Sequence, residues 1–235
     1  MSGKDILIVL DFDGLLINSY KLLKITFDQF GLDLGDEDRF RHRRKFLKYV
    51  GGGREIIRNL VRYSLPKKKK IRQVLTDVYL KEGRIYPEFV SLLNEMIENP
   101  GIHVGIISRN FTHSPGKTIR TVLRNSYVQE SELDFVIPVA VGATKEAVIE
   151  GMKSTRYRRC VFCADEIGDY EAALDAGYSA IIMASYGFDK KDRLVKSGKV
   201  PVTIIHDSPG ELVKEIREMI EIHASTADKV YSIYA

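Results

Sequence analysis

A short run of branched aliphatic residues that ends in two carboxylates most constrains how this chain can fold. Residues 6–10 are all Ile, Leu or Val, without polar alternation, which indicates a strand buried on both faces of a parallel sheet. Asp11-Phe12-Asp13-Gly14 follows at once. Because open α/β sheets bind ligands beyond the carboxyl ends of their strands, this position predicts a site with acidic side chains. An Asx-turn with Gly14 at positive φ would also explain the segment.

The length and composition fit an ordinary globular protein. A chain of 235 residues suffices for one large domain, or for a domain that carries a smaller insertion. The content of 44% hydrophobic and 29% charged residues is typical of soluble proteins. No apolar run approaches the roughly 20 residues that span a bilayer, and the first one is too short for a signal peptide. We therefore expect a cytoplasmic protein without membrane contact.

The chain contains two cysteines, Cys160 and Cys163, in a segment that reads as a strand. Two cysteines cannot form a disulfide framework, and a single Cys-x-x-Cys pair is weak support for zinc or redox chemistry. We expect both to be buried thiols.

From residue 101 onward, strand-like and helix-like segments alternate. This order predicts a Rossmann-like α/β core, with a parallel sheet and helices on both faces. The final residues give a weaker strand signal at 230–234. The strands are expected at residues 102–107, 134–137, 160–163, 180–183 and 202–205, and the helices at 115–125, 145–152, 169–176 and from 208.

Residues 15–86 interrupt this alternation. They contain no convincing strand and read as helices at 18–30, 38–50, 54–63 and 67–81. We expect an inserted α-helical cap domain at 15–86, with the α/β core formed by residues 1–14 and 87–235. The insertion holds 18 basic and 8 acidic residues, a balance of +10, against 18 basic and 24 acidic residues elsewhere. This excess favours an anionic ligand, although the solvated outer faces of helices would also account for it.

A second acidic group follows a second strand. Asp165 and Asp169 come directly after the strand at 160–163, so Asp165 can meet Asp11 and Asp13 if the two strands are neighbours. Carboxylates that converge without His or Cys favour a hard cation, and we expect Mg²⁺. Without a cation, the like charges would raise one another's pKa.

Two further segments offer groups that suit an anion. Ser108-Arg109-Asn110 follows the strand at 102–107 and supplies a hydroxyl and backbone amides. Lys145 lies in the first turn of a helix that Thr144 could cap, where the amides and an ammonium could hold phosphate. Carboxylates, metal, hydroxyl and lysine together predict a phosphoryl-transfer site.

In this arrangement the chain resembles the haloacid dehalogenase superfamily, most of all its phosphoglycolate phosphatase and β-phosphoglucomutase-like branch. The resemblance covers about residues 5–223, and four motifs occur in the family's order. They are Asp11-Phe12-Asp13-Gly14-Leu15-Leu16, Ile106-Ile107-Ser108-Arg109-Asn110, Lys145, and Asp165-Glu166-Ile167-Gly168-Asp169.

The resemblance implies a role for each matching residue. Asp11 would attack phosphorus to form an aspartyl-phosphate, and Asp13 would act as acid and then as base. The Mg²⁺ ligands would be Asp11, the Asp13 carbonyl and Asp165, with support from Asp169. The phosphate-binding residues would be Ser108 and Lys145, with the adjacent Arg109 as a further candidate. Independently of the resemblance, Lys117 is a weaker rival to Lys145, because Gly116-Lys117-Thr118 looks like the end of a P-loop but Phe111 stands where that motif requires Gly.

Some positions depart from the family pattern, and one position narrows the chemistry. Leu15 stands where the family usually has Thr or Val, and Ala164 replaces a common Gly, but neither change removes a catalytic group.

The resemblance also makes Asp13 informative, because family dehalogenases and phosphonatases lack an acid at this position. The oxygen that leaves a phosphate ester must be protonated, whereas a halide ion leaves without a proton. We therefore expect a phosphatase and set dehalogenation aside.

The inserted cap would supply substrate selectivity. The segment at 50–55 resembles the family's glycine-containing cap loop, which makes Gly53 and Arg54 the first candidates for substrate contact, ahead of Arg43 and Arg44. A solvent-facing arginine at a helix start would explain Arg54 equally well. The basic cap favours a small phosphorylated metabolite with further anionic groups.

Two other functions stay open. A phosphomutase would use the same aspartyl-phosphate and return it to a sugar phosphate. A binding module would dock nucleic acid or an acidic partner through basic residues at 41–48 and 67–72, but the segment lacks an obvious set of stacking aromatics. We expect a small-molecule substrate rather than nucleic acid, and a monomer or homodimer.

Overall fold

The computed structural model describes residues 6–32, 34, 68–140, 143, 145–152 and 157–231, with side chains described up to residue 221. Six strands within these ranges form one fully parallel sheet. They are β1 (Ile6–Asp11), β2 (Ile102–Ser108), β3 (Phe135–Pro138), β4 (Arg159–Ala164), β5 (Ala180–Ala184) and β6 (Ile205–His206). The spatial order is β3-β2-β1-β4-β5-β6, and the predicted Rossmann-like α/β core is confirmed.

The helices of the described ranges connect these strands. Asn18 begins the first of them by accepting a hydrogen bond from the Lys21 amide at 2.9 Å, and Gly177, at φ +71°, follows the end of the sixth. They are α1 (Ser19–Asp28), α2 (Lys68–Glu82), α3 (Pro87–Glu98), α4 (Pro115–Asn125), α5 (Lys145–Met152), α6 (Ile167–Asp175), α7 (Lys191–Lys196) and α8 (Pro209–Tyr231).

Strand β1 is buried on both faces, as its unbroken apolar run predicts. Ile8 and Leu10 point into an apolar cluster that includes residues of α1–α4 and α8. Leu7 and Val9 point into a second cluster, which includes residues of α5 and α6. Successive side chains of a strand face opposite sides, so a strand covered by helices on both sides needs apolar residues at every position.

The topology brings three strand ends together. Strand β1 lies between β2 and β4, with Asp11 opposite Ile107 of β2 and Leu10 opposite Cys163 of β4. The chain leaves β1 towards β2 and β3, then returns to β4 on the other side of β1. Such a switch point opens a crevice at the carboxyl ends of the strands, where ligands bind in this class of sheet.

Two strand predictions near the C-terminus are wrong. Residues 202–205 were expected to form a strand, but Val202–Ile204 is a 3₁₀ turn and only Ile205–His206 pairs with β5. Val202 is 56% exposed, so a β-branched residue at this position does not indicate a buried strand. The tail strand expected at 230–234 is contradicted as far as Tyr231, because α8 continues to that residue. The last four residues lie outside the described ranges.

Other differences concern helices. Helices α3 and α7 were not predicted, although Pro87 at the start of α3 is a residue that favours a first helical turn. The predicted helix at 169–176 begins earlier, at Ile167.

The insertion is described only at its two ends. Helices α1 and α2 match the predictions at 18–30 and 67–81 and belong to the same apolar cluster as one face of the sheet. The predicted helices at 38–50 and 54–63 lie outside the described residues. The boundaries of the cap domain therefore remain a prediction.

Both cysteines are buried thiols outside any disulfide, which confirms the prediction for them. Among the helices in the described part of the chain, none combines the length and hydropathy needed to cross a membrane.

Candidate active site

A buried lysine links two carboxylates at the carboxyl edge of the sheet. Asp11 ends β1, Lys145 begins α5, and Asp169 lies in the first turn of α6. Lys145 Nζ donates to Asp11 Oδ2 and to Asp169 Oδ2, both at 2.6 Å. All three residues are at least 96% buried. The second Asp11 oxygen, Oδ1, accepts from the Phe12 amide at 2.7 Å.

Burial and charge set the protonation of this cluster. Burial raises the pKa of Asp11 well above its usual value; Lys145 opposes this shift, while Asp169 and Asp165 add to it. Burial alone would lower the pKa of Lys145, but Asp11 and Asp169 outweigh it and raise that pKa. The lysine therefore stays charged, and Asp165 lies close enough to act on Asp11 through its charge.

Asp165 follows β4 and is fully buried. Its Oδ2 accepts from the Phe188 amide at 2.5 Å. The loop after β1 packs closely against the Asp165 carboxylate. Gly14 in this loop has φ +88°, and a Cβ there would overlap Asp165 Oδ2. A Cβ at Gly187 would overlap the same carboxylate. Glycine at both positions lets the backbone of two loops approach Asp165 from two directions.

Asp13 is held by four side-chain donors within the described residues. Its Oδ1 accepts from the Ser19 hydroxyl at 2.7 Å and from the Tyr79 hydroxyl at 2.6 Å. Its Oδ2 accepts from Ser108 Oγ at 2.9 Å and from Asn110 Nδ2 at 3.0 Å. A carboxylate offers about four acceptor positions, so these bonds fix the group from both sides.

The sequence did not identify Ser19, Tyr79 or Asn110 as site residues. Asn110 had a signal, because it belongs to the polar segment that follows β2. Ser19 and Tyr79 lie on helices at the two ends of the insertion, 6 and 66 residues from Asp13. Only the packing of α1 and α2 against the core brings their hydroxyls to Asp13.

The remaining predicted residues divide into three groups. Ser108 lies at the site, where it contacts Asp13, and Arg109 follows it with a buried Nε that has no hydrogen-bond partner in the described part of the chain. Lys117, the rival phosphate ligand, is exposed, whereas Lys145 contacts Asp11. Thr144, Gly53, Arg54, Arg43 and Arg44 lie outside the described residues.

The donor chemistry of the site fits a hard divalent cation. Among the described residues no three His, Cys, Asp or Glu side chains form a ready metal cage, and Lys145 bridges Asp11 and Asp169 instead. However, the three buried carboxyl groups of Asp11, Asp165 and Asp169 outnumber the single ammonium by two. Mg²⁺ prefers oxygen ligands and is usually held by one or two carboxylates, so this set of donors fits it.

The fold matches solved structures of haloacid dehalogenase-like hydrolases. A haloacid dehalogenase-like family hydrolase from Streptococcus pneumoniae is 18% identical, with a TM-score of 0.58 over 91% of this chain and 99% of that one. A predicted phosphoglycolate phosphatase from Haemophilus somnus 129pt is 16% identical, with a TM-score of 0.59 over 92% and 100%. A putative β-phosphoglucomutase from Thermotoga maritima is 18% identical, with a TM-score of 0.58 over 90% and 98%.

These similarities confirm the predicted resemblance at the level of the fold. The chain has the haloacid dehalogenase-like fold along most of its length, with its candidate site at the sheet's switch point. No protein-family model and no curated protein sequence matches the chain.

Proposed function

We propose that the protein is a Mg²⁺-dependent phosphomonoester hydrolase that acts through an aspartyl-phosphate on Asp11. The observation that carries this proposal is the buried Asp11–Lys145–Asp169 contact at the carboxyl edge of the sheet, beside Asp13. A buried lysine fixes the orientation of Asp11 and offsets its charge. Both effects suit a carboxylate that must attack an anionic phosphoryl group.

The proposed reaction has two displacements. In the first, an Asp11 oxygen bonds to phosphorus, the bond to the ester oxygen breaks, and Asp13 gives that oxygen a proton. In the second, Asp13 takes a proton from water, the water oxygen bonds to phosphorus, and the bond to Asp11 breaks. The products are an alcohol and inorganic phosphate, and both aspartates return to their starting state.

The other residues of the site would bind and orient the phosphoryl group. Ser108 and Lys145 supply a hydroxyl and an ammonium at the same sheet edge, and Arg109 is a third candidate with its buried Nε. Asp11, the Asp13 carbonyl and Asp165 would hold Mg²⁺, with support from Asp169. When bound, the cation would offset the charge of the phosphoryl oxygens.

The substrate class follows from the charge of the insertion. Its balance of +10 supports a small phosphorylated metabolite with anionic groups beyond the transferred phosphate. The residues proposed to contact that part of the substrate are Gly53 and Arg54.

A panel of phosphorylated metabolites with Mg²⁺ tests the proposal directly. We expect phosphate release that EDTA abolishes and that falls by at least about 10³-fold in Asp11→Asn. The matched control is Asp175→Asn, an exposed carboxylate on α6, which should keep its activity. Absence of Mg²⁺-dependent release across the panel would refute the proposal.

The fate of the phosphoenzyme separates hydrolysis from a mutase reaction. In water enriched in ¹⁸O, hydrolysis places the label in the released phosphate. Transfer of the phosphoryl group to a sugar phosphate, without label in phosphate, would identify a phosphomutase instead.

A further inference from the structure

We infer that Tyr79, together with Ser19, is a positioning residue for the proposed acid–base residue Asp13. The two hydroxyls donate to the same oxygen, Asp13 Oδ1, at 2.6 and 2.7 Å. Tyr79 is 4% exposed and Ser19 is 2% exposed, so water does not compete for these bonds. This inference rests on the proposed phosphatase function. It adds to the proposed active site a residue of α2, the helix at the C-terminal end of the insertion.

Side-chain hydrogen bonds connect helix α2 to the core along the face that carries Tyr79. Arg72 donates from Nε to the Phe111 carbonyl at 3.1 Å and from Nη2 to the Thr112 carbonyl at 2.8 Å. One turn further, Thr76 Oγ1 accepts from the His113 amide at 2.9 Å. Residues 72, 76 and 79 lie on one side of a helix, so these bonds hold α2 with Tyr79 facing Asp13.

The loop at residues 110–112, which Arg72 of α2 binds, also contacts Asp13. Asn110 Oδ1 accepts from the Thr112 amide at 3.0 Å and from the Thr112 hydroxyl at 2.6 Å, while its Nδ2 donates to Asp13. Arg72 binds the carbonyl of the same Thr112. Helix α2 therefore acts on Asp13 by two routes, directly through Tyr79 and indirectly through the loop and Asn110.

The physical consequence concerns proton transfer. A general acid must point its proton at the leaving oxygen, and a misplacement of about 1 Å costs roughly 10²-fold in rate. Without the Tyr79 hydroxyl, Asp13 loses one of the two bonds that fix Oδ1. The loss should fall on substrates whose leaving group needs protonation and should spare those whose leaving group does not.

Tyr79→Phe tests this inference through its leaving-group dependence. We expect kcat/KM for an alkyl phosphate to fall by about 10- to 100-fold, while kcat/KM for 2,4-dinitrophenyl phosphate falls by less than about 3-fold. The matched control is Tyr178→Phe, which removes a buried hydroxyl that donates to the Ile149 carbonyl at 3.2 Å, away from Asp13.

The outcomes separate the inference from the function it rests on. If wild type is active but Tyr79→Phe lowers both esters equally, or behaves like Tyr178→Phe, the positioning role is wrong and the phosphatase proposal stands. If wild type releases no phosphate from any ester, both are wrong. If Tyr79→Phe fails to fold by circular dichroism, Ser19→Ala must show the same alkyl-specific loss, and its absence overturns the inference.

Discussion

Lys145 Nζ lies 2.6 Å from Asp11 Oδ2, although the two residues are 134 positions apart and both are buried. The same ammonium contacts Asp169, so one lysine on α5 joins the end of β1 to the start of α6. The loss of this charge would therefore affect the fold as well as the site. Removing it leaves two buried carboxylates without their counter-ion.

Lys145→Met should therefore destabilise the protein strongly in the absence of divalent cations. We expect urea unfolding to show a loss of about 3–5 kcal/mol, because methionine fills similar space but cannot offset the carboxylates. Adding Asp11→Asn should restore part of the loss, since one of the unpaired charges is then gone. Lys199→Met serves as the control: it removes an exposed pair with Glu171 and should cost no more than about 1 kcal/mol. Equal losses for the two lysines would contradict the role given to Lys145.

Gly14→Ala should damage the site through a specific overlap. The backbone at Gly14 has φ +88°, and an added Cβ would collide with Asp165. Gly31 has a similar φ of +67° but open space around its Cα, so Gly31→Ala isolates the backbone strain. We expect about 1 kcal/mol of destabilisation for Gly31→Ala and at least about 2 kcal/mol for Gly14→Ala, with a loss of Mg²⁺-dependent activity only in the latter. Thermal unfolding and phosphate release measure both effects, and similar results for the two variants would contradict the proposed contact.

The sequence predicted the sheet and the identity of its acidic edge because both depend on local signals. The unbroken apolar run at residues 6–10 indicates a strand that is buried on both faces. Asp11, Asp13 and Asp165 each lie at or just after the end of a predicted strand. Parallel strands end at a common edge, so these positions bring the carboxylates together once β1 and β4 are neighbours, and the sheet order supplies that condition. Lys145, at the start of α5, contacts Asp11 at this edge.

The donors around Asp13 could not be predicted in this way. Tyr79 reaches Asp13 only because α2 packs against the core, and nothing in its local sequence distinguishes it from other helical tyrosines. The failed strand at residues 202–205 has a related cause. Val202 and Ile204 favour a strand by type, but Val202 is exposed and Ile204 is only partly buried, and the chain forms a 3₁₀ turn after Pro201 instead.

The two cysteines should be unreactive in the folded protein. Cys160 is 7% exposed and Cys163 is fully buried, and burial raises the pKa of the Cys163 thiol. Because the thiolate is the reactive form, even moderately alkaline solution should leave this thiol protonated. We expect no rapid reaction with Ellman's reagent at pH 8 and two thiols per chain in guanidinium chloride. Ser131→Cys, at an exposed position, provides a fast-reacting control, and rapid labelling of the native wild type would contradict the burial of strand β4.

Mg²⁺ should stabilise the folded protein independently of any substrate. The three buried carboxyl groups of Asp11, Asp165 and Asp169 outnumber the ammonium of Lys145 by two, and a cation that binds them only in the folded state favours that state. At about 100 times its dissociation constant, the cation should add about 2.7 kcal/mol, which corresponds to a rise of about 5–10 °C in Tm for a chain of this size. Asp165→Asn should lose most of this rise, because an amide carries no charge to bind the cation. Asp175→Asn, an exposed change on α6, should keep it, and NaCl at equal ionic strength should not reproduce it. A rise of the same size in Asp165→Asn would place the cation elsewhere and remove Asp165 from the proposed metal site.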